Sequence, residues 1–144
     1  MTSKTEIKDI LDDLKYGHPE TRKGAALKLG RIRDITVIPH LVKCLKEDTY
    51  PWTRVSAIQS LTWIAHESII EPLIDVAKHD KDLMVRRTAI ESLGNMRNRS
   101  ALQILNDIVN NESEDNEIKK AASIAILVIE GLTPSYAQDS KQSY

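Results

Sequence analysis

Shifting the chain against itself by 32 residues brings like onto like along most of its length, and no other property constrains the fold as tightly. Thr21-Arg22 falls on Thr53-Arg54 and then on Val85-Arg86. Ala25, Ala57 and Ala89 coincide, as do Leu29, Leu61 and Leu93, and then Ile32, Ile64 and Met96. A second set joins Ile38, Ile70 and Leu102, then Leu41, Leu73 and Leu105, then Cys44, Val76 and Ile108, with Asp48 and Asp80 in step. A fourth, partial copy starts one residue late: Ile118, Lys119, Ala122 and Ile126 match Val85, Arg86, Ala89 and Leu93. At the other end, Ile7, Ile10, Leu11 and Leu14 precede Ile38, Leu41, Val42 and Leu45 by 31.

Inside each unit the apolar residues recur at three and four, which is the helical period, in two separate segments. No stretch alternates with period two. The pattern predicts eight helices, over 4–15, 20–32, 36–47, 52–65, 68–79, 83–96, 99–111 and 116–130. Ser3-x-x-Glu6, Ser68-x-x-Glu71 and Ser100-x-x-Gln103 read as capping boxes at helix starts. Pro39 and Pro72 fall in first turns, where no amide donor is needed, and Gly17 and Gly131 stand where helices should end. A two-helix unit cannot bury its apolar stripe alone, so its copies stack into one continuous core. The expected fold is all-α: an α-solenoid, a right-handed α-α superhelix of four two-helix repeats. Residues 1–132 form a single domain in this reading, and the polar run Thr133–Tyr144 a flexible tail.

The repeat reads Thr/Val-Arg-x-x-Ala-x-x-x-Leu-Gly/Thr-x-Ile, then Ile-x-x-Leu-x-x-Cys/Val, then Asp, and is carried by Thr21–Asp48, Thr53–Asp80, Val85–Glu112 and Ile118–Ile129. It resembles the short HEAT-like repeats first described in phycobilisome bilin lyases. That resemblance implies an armadillo-like helical scaffold, and its sharper implication is a bilin lyase-like or tetrapyrrole-handling accessory protein. The HEAT-repeat deoxyhypusine hydroxylases carry several His-Glu pairs inside their helices, whereas here the one pair, His66-Glu67, falls in a turn. No di-iron site is expected from it.

Composition narrows the function classes. Only 10 of the 144 residues are Pro or Gly, too few for a collagen-like or low-complexity chain. One cysteine excludes a disulfide scaffold, and the four histidines, scattered among the repeats, have no metal-ligand spacing. No apolar run reaches the roughly 18–20 residues of a membrane span, and the first residues lack an apolar signal core. A cytoplasmic, non-enzymatic scaffold or adaptor without a cofactor is expected. Its partner is another protein.

Nucleic acid is disfavoured on two counts. The net charge is −1, and the helices expected to line the concave face mix signs, with His40, Lys43 and Lys46, then Glu71, Asp75 and Lys78, then Gln103, Asp107 and Asn110. Arg22, Arg54, Arg86 and Lys119 recur at one helix-start position and read as a ladder paired with Asp48 and Asp80 between repeats. Cys44 aligns with core residues and reads as a buried, inert thiol.

Two features fall outside the packing pattern. The turns within repeats place Arg31 and Arg33, then Trp63 and His66, then Asn95, Arg97 and Arg99 along one edge. Tryptophan flanked by arginine is the usual composition of a binding hot spot, so this edge is the first candidate interface. The concave set His40, Lys43, Glu71 and Asp75 is the second. Trp52 follows Tyr50-Pro51 and reads as a staple on its helix. The last helix, with the run AASIAILVI, is apolar nearly all round. Ile124 and Val128 are therefore expected to dock against a second copy, the tail or a partner.

Overall fold

A computed structural model describes residues 2–132 of the chain, so the segment read as a flexible tail, 133–144, lies outside the described residues. Its helices are α1 (Lys4–Tyr16), α2 (Pro19–Ile32), α3 (Ile38–Glu47), α4 (Pro51–Ile64), α5 (Ile70–His79), α6 (Leu83–Met96), α7 (Leu102–Asn110) and α8 (Asn116–Ile129). Among the described residues there is no strand. The architecture is an α-solenoid.

Each helix starts and stops for a local reason. Ser3 and Glu6 form a reciprocal box at α1, with the Glu6 amide donating to Ser3 Oγ at 3.2 Å and the Ser3 amide donating to Glu6 at 2.7 Å. Asp82 and Asp115 each accept two amides at the starts of α6 and α8. Prolines 19 and 51 open α2 and α4, where the missing N–H would have been unpaired anyway. At the far end of α8, Gly131 takes a left-handed φ of 77°. There the Leu132 amide closes onto the Leu127 carbonyl and the Gly131 amide onto that of Val128, a Schellman ending.

Three 3-10 turns, Ile35–Val37, Glu67–Ile69 and Arg99–Ala101, precede α3, α5 and α7. The sequence pattern runs these turns into the helices behind them, because a 3-10 turn carries the same apolar spacing over so few residues. They also correct two expected capping boxes. Ser68 and Ser100 do not cap; their amides donate to His66 Nδ1 and Asn98 Oδ1, as the Thr36 amide does to Asp34.

Leu29, Leu41, Leu45, Ile58, Leu61, Ile69, Leu73, Ile90, Leu93 and Leu105 have no measurable exposure and form one core with the repeated alanines. Burying each of these leucines and isoleucines contributes roughly 1.5–3 kcal/mol. The even helices α2, α4, α6 and α8 pack directly on one another, while the odd ones are spread apart. Small side chains allow the close approach. A Cβ on Gly30 would lie 2.6 Å from the Ser60 Cα, and Ser60 Oγ donates to the Ala26 carbonyl across that seam at 2.6 Å. A two-layer stack curves toward its tighter layer, so the inner face is built from the even helices. This reverses the expected concave face: His40 and Lys43 on α3, and Glu71 and Asp75 on α5, belong to the outer layer, and all four are exposed.

Candidate protein-interaction surface

The charged groups that recur in step are structural. Arg22, near the start of α2, grips Asp48 with two N–H groups at 2.8 and 3.0 Å and donates a third to the Gly17 carbonyl at 2.9 Å. Arg54 repeats this with Asp80 at 2.9 and 2.9 Å and with the Asp48 carbonyl at 2.8 Å. Arg86 forks onto Glu114 at 2.9 and 2.6 Å and turns its Nε to the Ala77 carbonyl at 2.8 Å. Arg22 and Arg54 thus tie the loop before their own helix, and Arg86 the last turn of α5, to a loop one repeat further on, a geometry that suits the planar fork of arginine and not lysine. The third acidic partner is Glu114, two places beyond the position that the 32-residue register picks out, because the loop 111–115 is two residues longer than the loops 48–50 and 80–82.

The electrostatic consequences follow from the contacts. The Arg86 fork holds the Glu114 carboxyl below the ordinary carboxylate range, and the Asp48 carboxylate raises the Arg22 pKa. Burial pushes the Cys44 thiol up to about 12, which leaves it a neutral, unreactive part of the core. Among the described residues no cluster of His, Cys, Asp or Glu is placed to hold a metal ion. No helix there is long and apolar enough to cross a membrane.

The edge formed by the C-terminal ends of α2, α4 and α6 is built differently. Arg33, Ala65 and Arg97 end these helices with φ values of 56°, 56° and 53°. That left-handed conformation is costly for a residue with a Cβ and is usually met by glycine. Arg31, Arg33, Arg97 and Arg99 are all exposed on this edge, and none is ion-paired among the described residues. Between the two arginine pairs stands Trp63, 42% exposed. His66 is beside it, but its Nδ1 sits 3.2 Å from the Ser68 amide and 2.8 Å from Ser68 Oγ, so half of its ring is occupied in shaping the turn.

Trp52, expected as a staple on its helix, lies in the first turn of α4 behind the N-terminal Tyr50, with 48% of its surface exposed. Lys23 Nζ lies 5.9 Å from the centre of its ring. The 11 residues from Trp52 to Trp63 make three helical turns, so both tryptophans share one face of α4 about 16 Å apart. The spacing was there to be read; their common exposure was not, because it depends on which face α4 turns to its neighbours.

Two depressions complete the surface. Ile124 and Val128 do not face the open end of the stack. They line a cleft of about 150 Å³ between α8 and α6, with Arg87, Glu91 and Asn95 on the opposite wall, and both are half-buried. His40 and Lys43 line a groove of about 810 Å³ between α1 and α3, floored by Leu11, Leu14 and Cys44 and edged by Lys8 and Lys15. Glu71 and Asp75 line neither of these.

No curated protein matches this chain. The family model of HEAT repeats matches residues 3–62 and again 38–126, two overlapping stretches that cover the stacked helices from α1 into α8. On that match, and on the repeated helix pairs that carry it, the chain belongs to the HEAT repeat family.

Proposed function

We propose that this chain is a non-enzymatic adaptor that binds another protein along its turn edge and inner face, with Trp63 at the centre. HEAT repeats generally mediate protein–protein interaction. The single observation that carries the reading is that both tryptophans of the chain are exposed on one face of α4, while the core is filled without them. An indole half in water is a large apolar area left uncovered, and tryptophan with arginine around it is the composition of binding hot spots.

A photo-crosslinking amino acid in place of Gln59, on the same face, would capture the partner directly. Trp63→Ala should cost only about 1–2 kcal/mol of stability, short of the roughly 3–5 kcal/mol of a core tryptophan, because 42% of the residue is already in water. The same change should weaken the captured partner by about 30- to 1,000-fold. Unchanged capture by Trp63→Ala would move the interface elsewhere, and a large loss of stability would make the indole part of the core.

A second reading has one observation in its favour. The α1–α3 groove combines an apolar floor with a mixed rim of Lys8, Lys15, Lys43 and His40 against Asp12 and Glu47, which suits a flat apolar molecule with polar groups at its periphery. A tetrapyrrole is such a molecule, and the resemblance of the repeat to those of bilin lyases points the same way. Visible absorbance of the chain after co-expression with a tetrapyrrole pathway tests it, and a colourless product under those conditions counts against it.

A further inference from the structure

We infer that the partner segment recognised by the turn edge is an acidic peptide: two clusters of carboxylates, one on each side of an apolar residue that covers Trp63. This rests on the reading of Trp63 as the centre of the interface and adds the chemistry of what docks there.

The argument starts from backbone conformation. Arg33 and Arg97 occupy left-handed positions at φ 56° and 53°, where glycine would be less strained. The chain uses glycine for this purpose at the end of α8, where Gly131 has φ 77°. Ala65 holds the same conformation at φ 56° in the central turn, so the strain belongs to the repeat's turn; what sets the outer two apart is that arginine fills the place that alanine fills between them. The helix dipole accounts for part of it, since a cation near a C-terminus is favourable. One cation per helix end satisfies that need, however, and here each of the two turns carries a pair: Arg31 with Arg33, and Arg97 with Arg99. All four are exposed, and none has a carboxylate partner among the described residues.

Spacing then describes the ligand. The pairs end α2 and α6, separated by α4, so they lie two interaxial steps or about 16–20 Å apart. An extended strand covers that in about five or six residues at 3.3 Å each. Midway, the peptide meets Trp63 and the uncharged Ala65. Carboxylates fit the arginine forks two-pronged, and an apolar side chain covers the indole.

A nucleic acid strand fits this pattern poorly. It carries a phosphate at every nucleotide and asks for an uninterrupted row of cations with several stacking rings. Here the central turn offers one indole and the exposed Glu67 instead of a cation. Two further acids lie here: Asp34, in the first turn, whose carboxylate is held by the Thr36 amide and hydroxyl at 2.8 Å each, and the exposed Glu130 at the end of the neighbouring α8.

The test uses the full chain and three labelled probes read by fluorescence anisotropy. The first is a synthetic 12-residue peptide with two Asp-Glu pairs about six residues apart, a central leucine and Ser-Gly elsewhere. The second is the same peptide with Ser-Gln in place of Asp-Glu, and the third is a six-nucleotide oligothymidine. The decisive variant is Arg33→Gly combined with Arg97→Gly. Because glycine relieves both backbones, the urea midpoint should hold or rise while acidic-peptide affinity falls at least about tenfold. Trp63→Ala should weaken the same probe, and rising salt should weaken it progressively.

The uncharged peptide binding as well as the acidic one, still through Trp63, would overturn the acidic chemistry and leave the interface reading standing. Tighter binding of oligothymidine would replace the peptide by a nucleic acid. Failure of every probe at millimolar concentration overturns the inference, whereas loss of crosslinking at Gln59 would remove the underlying interface as well.

Discussion

Arg54→Ala tests whether the stack is held by its forked arginines, and the structure sets the magnitude. The Arg54 side chain is 3% exposed and that of Asp80 is 8%. Truncation removes two bonds of 2.9 Å to Asp80 and one of 2.8 Å to the Asp48 carbonyl. It leaves a buried carboxylate with the Asp82 amide, at 2.9 Å, as its remaining partner. Breaking a buried pair from one side costs about 3–5 kcal/mol, because the surviving charge loses its compensation. That is a large share of the 5–15 kcal/mol that a domain of ordinary size has. Arg22 is 17% exposed, so water can replace part of what its removal takes away, and Arg22→Ala should cost only about 1–3 kcal/mol. Urea unfolding followed by far-ultraviolet circular dichroism gives the two midpoints at constant slope. The control is Arg54→Met combined with Asp80→Leu, which removes both charges and should recover most of the loss. The reasoning fails if Arg54→Ala stays within about 0.5 kcal/mol of wild type. A double variant as unstable as the single one would show that the bond to the Asp48 carbonyl, and not the stranded carboxylate, carries the effect.

Three further outcomes are expected. Gly24→Ala should stabilise by about 0.5–1 kcal/mol because a Cβ there meets nothing within 4 Å, while Gly30→Ala should destabilise by at least about 1–3 kcal/mol by colliding with Ser60; thermal melts of the two variants separate them. Glu114 has its folded pKa depressed below 4.5 by Arg86, so the stability it contributes is present above about pH 4.5 and disappears as pH falls through the lower folded value. Glu114→Gln should therefore be less stable than wild type at pH 7 and lose less on acidification, and parallel acid limbs for the two proteins would contradict the pairing. Cys44, with its thiol at about 12 and 8% exposed, should react with a thiol reagent at pH 8 only as fast as the chain opens, and urea should accelerate the labelling steeply.

What was legible in the sequence is what repeats or is periodic. The 32-residue register and the three-and-four spacing locate all eight helices to within a few residues, because each repeat must present the same apolar stripe to its neighbours. The ladder was legible for a related reason, since Arg22 and Arg54 recur together with Asp48 and Asp80. Its third rung was not legible, because the loop 111–115 is two residues longer than its predecessors and brings Glu114, out of register, to Arg86. Caps were legible where one residue of the usual kind does the work, as at Ser3, and hidden where His66 takes the place that Asp34 and Asn98 hold in the other turns.

Which face is the inner one was beyond the sequence, and that error carried furthest. Helix periodicity says that a stripe is apolar; it does not say how closely two helices of one layer approach. That distance is set by pairs such as Gly30 with Ser60 and Gly94 with Ala125, small residues brought together from different repeats. With the even helices drawn together, the tips of α2, α4 and α6 converge on the inner rim, and Arg33, Trp63 and Arg97 fall on adjoining helices. The odd helices, spread apart, leave His40 and Lys43 over a groove on the outer layer and carry Glu71 and Asp75 away from it. The strain at Arg33 and Arg97 is equally invisible in the sequence, where each is one arginine among many. Only the backbone shows that the chain holds a charged side chain at the position where it would lose least by having none.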